Sequence, residues 1–468
     1  MKIAVTTLLL LSLALSAKTQ SLFVNTYGTS AAEERAFDMV VMDDGSIITF
    51  GDRYDIATFK RTGYLLKVDA NGTEQWNRQL SSNGEIYGAA ICKLPNGNVL
   101  VSGRDFDVSN VEFGLMVAEY NSSNGLPVYQ KTHEFARNTE AIDMVPMADN
   151  GAIILSTYET GSTFKTALLC RINSNGDTLW SKQIDEYPNK ENPGALTLLS
   201  DGLALTGSVN ESGSDNVFLI KTDMSGNVQW EETYPSAGIS FANGIAAIPS
   251  GGFYIAGITN AIGNGGLDIL GMKVDNNGQL LWSKGFGRST TDLGNGVGAM
   301  PDGGAIFVGS GHRADTTNFR DLLLVRVTAD GDTLWMRHYR DIGKETGYAV
   351  QLSGNSIIAA GKADVGGTED VVILRADLNG NVVGINNLES SGNWNVYPNP
   401  FFGQLTIDLE KHFSVKTEIR VLDMLGRTML KTTITDRIIL DVSSLPKGIY
   451  LLQLRQNDNS AVRRIVKN

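Results

Sequence analysis

Gly45, Gly97, Gly151, Gly202, Gly251, Gly303 and Gly354 fall 49 to 54 residues apart, each in the turn between two short apolar runs such as VGAMPDGGAIFVGSG. Asp-Gly, Asn-Gly and Ser-Gly in that setting mark tight hairpins, because turns that match strand twist need a positive φ. A second hairpin follows each first one. It reads LLKVDANGTEQW up to Trp76, ALLCRINSNGDTLW up to Trp180, FLIKTDMSGNVQW up to Trp230, ILGMKVDNNGQLLW up to Trp282 and LLLVRVTADGDTLW up to Trp335, with a weaker copy ending at Tyr129. Four short strands, A to D, in a period of about 50 residues and with no competing helical pattern make a propeller blade. The expected fold is all-β: a seven-bladed β-propeller over 21–387, then a small immunoglobulin-like β-sandwich.

Strands A, B and C occur seven times and D only six, since the seventh repeat has Gly384 where the aromatic belongs. The spare copy lies at the other end of the chain. Phe23-Val-Asn-Thr-Tyr27-Gly28 overlays Trp282-Ser-Lys-Gly-Phe286-Gly287 position for position. The N-terminal strand is therefore expected to pair with the last C strand and close the ring, which removes an unpaired edge. The competing arrangement has 381–386 form its own D strand. An aromatic at the start of strand D can lie between blades and bury roughly 150–250 Å². That is worth at most about 4–6 kcal/mol each at about 25 cal/mol per Å², so a structural role accounts for the tryptophans without a sugar platform.

The region from Phe23 to about Asn387 resembles the repeat propellers of Bacteroidota surface proteins, whose phrase pairs an Asp-Gly-Gly hairpin with D-aliphatic-K-aliphatic-D-x-x-G-x-x-x-W. Asp268, Asp321 and Asp370, with Lys273, Arg326 and Arg375 five residues on, carry that phrase; blades 2 and 3 depart from it. The resemblance implies fold and says little about ligand. The Asp box of sialidase-type propellers is D-x-G-x-x-W, whereas Asp223, Gly226 and Trp230 are each one residue further apart. Quinone-dependent dehydrogenases share the Gly-x-x-x-Trp ending, but the cluster that holds their metal and quinone is not visible. His133, His312, His338 and His412 are scattered, so no metal site and no cofactor are expected.

Met1 to Ala17 carries one lysine, an apolar run from Leu8 to Leu11 and a small-x-small Ala14-Leu15-Ser16, the pattern of a signal peptide. No segment reaches 18 consecutive apolar residues, so no transmembrane segment is expected. Cys92 and Cys170 fall in different repeats and read as isolated buried thiols. The net charge is −12, and between the signal and residue 393 the chain has 27 basic against 44 acidic residues. That acidity argues against nucleic acid or anionic lipid as a partner of the propeller.

After the polar stretch 388–393, read as a linker, residues 394–468 alternate short apolar runs with turns, as a small sandwich does. Their words are Val396-Tyr397-Pro398-Asn399-Pro400-Phe401, then Val421-Leu-Asp-Met-Leu-Gly426-Arg427, then Leu440 to Leu454 with Gly448 and Tyr450, and Arg464-Ile-Val-Lys467 near the end. In that order they resemble the type A C-terminal sorting domain of the type IX secretion system. The resemblance implies the translocon and its sorting peptidase as partners, passage through the outer membrane, and removal of this domain with surface attachment or release of the rest.

These observations describe an exported, cell-surface or secreted binding module for carbohydrate or protein. An extracellular polymer-degrading hydrolase or lyase is the alternative, and a catalytic role is the less favoured one. The A–B and C–D turns are nearly uniform and share one end of the ring, so the variable B–C and D–A loops at the other end are where a ligand is expected. Arg53, Tyr54, Arg104, Phe106, Tyr158, His312 and Arg313 on B–C loops, and Tyr187 on a D–A loop, are the candidate ligand-binding residues. No catalytic residue is assigned.

Overall fold

The computed structural model describes residues 22–467 except 108–111, 160–164, 185–190, 212–213, 313–319, 340–343, 383–393, 410–416, 424–426, 436 and 457–458. The signal segment, Tyr187, Arg313, Gly426 and the 388–393 linker therefore lie outside the described residues. The chain divides into two compact units, 1–380 and 381–468.

The first unit holds seven four-stranded antiparallel sheets. Blades 1 to 6 each run in chain order over 32–80, 85–133, 139–184, 191–234, 240–286 and 292–339. Blade 7 takes strands A to C from 345–377, and its fourth strand is Phe23–Tyr27. The register matches the sequence overlay. Phe23 lies opposite Arg375 and Tyr27 opposite Val371, as Trp282 lies opposite Lys273 and Phe286 opposite Ile269. Blade 7 packs against blade 1 through a shared core of Phe23, Met39, Ile47, Tyr64, Ile358 and Ile373, so the ring is closed.

Strands B and C read as unbroken apolar runs, such as Leu322-Leu-Leu-Val325, because neighbouring blades cover both faces. Strand D alternates, as in EQWNRQL, with one face in solvent. Every D-strand aromatic lies on the C–D turn glycine of the next blade: Trp76 on Gly125, Tyr129 on Gly176, Trp180 on Gly226, Trp230 on Gly278, Trp282 on Gly331, Trp335 on Gly380, and Phe23 on Gly72 across the closure. These glycines all have positive φ, and a methyl on Gly331 would come within 2.9 Å of the Trp282 ring. The position thus excludes a side chain on two grounds. Trp76 is buried and the other four tryptophans only partly so, which puts most of them below the full-burial figure. Two A–B turns differ from expectation: in blade 3 the left-handed residue is Asn150, one place before Gly151, and in blade 4 Gly202 does not take a positive φ.

Each strand A carries a β-bulge that the apolar pattern does not announce. The extra residues are Phe37, Ala89, Ile142, Gly194, Asn243, Asn295 and Tyr348. Opposite the bulge, strand B places Gly51, Gly103, Ser156, Gly207, Gly257, Gly309 or Gly361. The bulged backbone comes too close there for most side chains, which gives the glycine ending each strand-B motif its role.

The second unit has sheets of three and four strands whose inner faces share one core, including Phe401, Leu405, Ile407, Val421, Leu452 and Ile465. It is the expected small sandwich. The YPNP segment is pinned to the chain's end, with Asn399 Oδ1 accepting from Val466 N at 2.8 Å and Phe401 N donating to Val466 O at 2.8 Å. Tyr450 donates to Pro446 O at 2.7 Å. Lys467 Nζ caps Val442 O at 2.6 Å and Ser443 O at 2.7 Å. Cys92 and Cys170 are free and buried.

Candidate functional site

The seven bulged residues face the central channel, because one extra residue in an inner strand turns a side chain away from the blade core. At the B–C and D–A end the channel opens into a cavity of about 480 Å³. Its walls come from blades 1 to 3, with Arg35, Asp52, Arg61, Tyr87, Arg104 and Glu140, joined by Tyr348 of blade 7 beside Phe37 of blade 1. Asn243 and Asn295 from blades 5 and 6 also line it. Below it a second space of about 180 Å³ is lined by the bulged residues themselves with Asp38 and Asp143.

The wall is an interlocked stack of cations and rings. Arg61 lies over Tyr54 at 5.1 Å and over Tyr87 at 4.9 Å. Arg104 lies 3.9 Å from the Tyr87 ring centre and 4.9 Å from that of Phe113. Phe106 packs behind, 5.0 Å from Phe113. Each cation also meets a carboxylate: Arg61 with Asp52 at 2.9 Å, Arg104 with Glu140 at 2.7 Å, and Arg35 with Glu33 at 2.9 Å and with Glu369. The last pair joins blade 1 to blade 7, and Phe37 meets Tyr348 edge-on across the same seam at 5.3 Å. Burial holds the Asp52 carboxyl above the usual carboxylate range despite Arg61 and Arg35. Glu369 is held below it, because Lys362 and Arg35 outweigh its burial.

Asp38 and Asp143 each accept two backbone N–H bonds, one from the next residue and one from the neighbouring blade, Ile91 or Leu196. They keep a little surface against the channel, but enclosure by the ring dominates. Desolvation pushes Asp38 up to about 6 and Asp143 up to about 7 despite those bonds.

Among the residues expected to bind a ligand, Arg104 lines the cavity. Tyr54 and Phe106 support it from behind the wall, and Arg53 is tied to Glu34 at 3.3 Å and to Asp55 at 3.2 Å. Tyr158 lies beside the wall, opposite Thr139. His312 belongs to blade 6, where Arg320 donates to it at 3.3 Å, and is not brought to this cavity. The described members of the set sit on strands rather than loops, because the B–C hairpins keep pairing outward, as far as Asp55 with Lys60 and Asp107 with Glu112. Arg35, Tyr87 and Glu140 were missed because they lie inside strand A. They share one repeat column, two places before each bulge, which reads Arg35, Tyr87, Glu140, Asn192, Phe241, Leu293 and Thr346. That column varies freely beside a column of small residues, and the contrast was the available signal.

The described residues contain no group of three or more His, Cys, Asp or Glu placed to hold a metal ion, and no helix long and apolar enough to cross a membrane. No curated protein matches the chain in sequence. Among solved structures it is similar to puromycin hydrolase, at 10% identity and a TM-score of 0.49, covering 80% of this chain and 58% of that one. A variant of the same hydrolase reaches 0.50 at 11% identity, with the same coverage. A Penicillium chrysogenum α-L-arabinanase gives 0.43 at 10% identity, covering 76% of this chain and 96% of that one. The chain thus spans little more than half of the hydrolase's length, and likeness at such identity speaks to the fold alone. Residues 395–468 match the secretion-system C-terminal sorting domain, so this chain is an exported seven-bladed propeller protein that type IX sorting delivers to the cell surface or releases.

Proposed function

We propose that the exported propeller is a glycan-binding module whose site is the cavity at the mouth of the central channel. The observation that carries this reading is the wall itself. Planar groups (Tyr87, Tyr348, Arg61, Arg104) are locked by stacking and ion pairing around a space the size of one or two sugar rings. Pre-set aromatic and guanidinium groups lose little freedom when a ligand arrives, which favours binding. The same observation ranks binding above hydrolysis. Asp52 and Glu140 are the carboxylates in the wall, and each is engaged by an arginine rather than poised as an acid or base.

A glycan array probed with the secreted, full-length mature chain tests the reading. Wild type is expected to bind a defined subset of glycans, and Tyr87→Ala to lose that signal while its circular dichroism and melting curve stay close to wild type. Binding that persists undiminished in Tyr87→Ala would place the site elsewhere.

A further inference from the structure

The cavity also constrains the chemistry of its ligand, an inference that rests on the glycan-binding reading above. Two polar atoms in its wall are buried and have no hydrogen-bond partner among the described residues: Asp52 Oδ1, an acceptor, and Arg104 Nε, a donor. Asp52 as a whole is 2% exposed. Such atoms are costly unless something completes them. The wall's charges, in contrast, are already complete. Arg35, Arg61 and Arg104 each have a carboxylate partner, so the site offers an incoming anion no unpaired cation. On the channel floor Asn243 and Asn295 each spend one of two amide N–H donors, on Gly294 O at 2.9 Å and Gly347 O at 2.8 Å, and each also carries an Oδ1 acceptor.

We infer that the ligand is a neutral sugar carrying several free hydroxyls, with a hydroxyl pair bridging Asp52 Oδ1 and Arg104 Nε. A hydroxyl both donates and accepts, so a pair of them satisfies one orphaned donor and one orphaned acceptor without bringing charge. Several acceptors around one small space call for several O–H donors, which a sugar ring supplies and an extended peptide, with one N–H per residue, does not. An anionic sugar would bring a carboxylate into a wall whose carboxylates are already buried or paired, at a desolvation cost with no free cation to offset it. The ring would lie in the opening between Tyr87 and the Phe37–Tyr348 seam.

Calorimetric titration of the full mature chain with cellobiose, maltose, xylobiose, mannobiose, digalacturonic acid and tetraglycine tests this. At least one neutral disaccharide is expected to bind, and digalacturonic acid and tetraglycine are not. Arg104→Lys, which keeps the charge and removes Nε, and Asp52→Asn are each expected to weaken that disaccharide about tenfold or more. Melting of both variants should stay within a few degrees of wild type. If digalacturonic acid binds, no neutral probe does, and Tyr87→Ala abolishes the binding, then the neutral-sugar inference falls while the glycan site stands. Binding of tetraglycine alone, or of no probe, overturns both.

Discussion

At the turn end of the ring the same contact is made at every junction: an aromatic from one blade lies on the turn glycine of the next, seven times around, with Phe23 supplying the last. At the loop end the charged and aromatic contacts described differ from junction to junction. Arg61 stacks on Tyr87 between blades 1 and 2, Arg104 pairs with Glu140 between blades 2 and 3, and Arg35 meets Glu369 across the seam. The two ends hang from identical blades, so the difference is not one of scaffold. Uniform contacts hold the ring together, while the freedom they leave at the other end shapes a cavity whose charged wall comes from blades 1 to 3. On the proposed reading, stability and recognition are separated along the channel axis and can be disturbed separately.

The largest effect should come from removing the contact that completes the uniform end. Deleting residues 23–28 takes away the fourth strand of blade 7 and the Phe23–Gly72 contact, leaving an open edge. Calorimetry should show the melting temperature lower by about 5 °C or more, since several kcal/mol are lost and each is worth roughly 1–2 °C in a chain this long. Removing 386–393 should change it little. Equal melting of the two would mean that the ring is closed by something else.

Next come single residues that pull the two ends apart. Gly331 has φ +79° and the Trp282 ring beside it, so Gly331→Ala should destabilise by about 1–3 kcal/mol and leave glycan binding intact. Tyr87→Ala should do the opposite. If the turn variant loses binding at unchanged stability, the division between the ends is wrong.

A smaller effect should follow pH. Asp38 and Asp143 have raised carboxyls, so the stability they contribute is complete below the unfolded value near about 4 and is lost as pH rises through about 6 and then about 7. The melting temperature should therefore decline between pH 5 and pH 8. The lowered carboxyls of Asp44, Asp149 and Asp302 act in the opposite sense, and only below about pH 4. A melting temperature that rises from pH 5 to 8 would contradict the assignment. The smallest effect belongs to Leu281, exposed at 56% on a strand-D bulge where blades 1 and 4 carry Gln75 and Gln229. Leu281→Gln should shift stability by no more than about 0.5 kcal/mol.

The uniform end was legible in the sequence because repetition makes each turn and aromatic a repeated observation. The closing strand followed from overlaying Phe23 on Trp282, and the paired registers agree to the residue. The variable end was legible only as a location. Its residues were sought on loops, but extended B–C pairing put Arg53 and Tyr54 on strands and behind the wall. Strand-A bulges sent Phe37, Asn243 and Tyr348 into the channel. A bulge shifts the alternation of faces by one residue, and period-two reading of a short apolar run does not reveal it. Nor does spacing disclose that Arg104 of one blade will pair with Glu140 of the next, since that depends on how neighbouring blades meet.

The separation of the two ends is tested most directly by hydrogen exchange of the full mature chain, with and without the sugar that binds most strongly on the array. Protection on binding is expected in peptides covering 33–37, 52–61, 87–104 and 140–142, with none at the turns around Gly125, Gly278 and Gly331. Protection centred on those turns, with the channel mouth unchanged, would contradict the account.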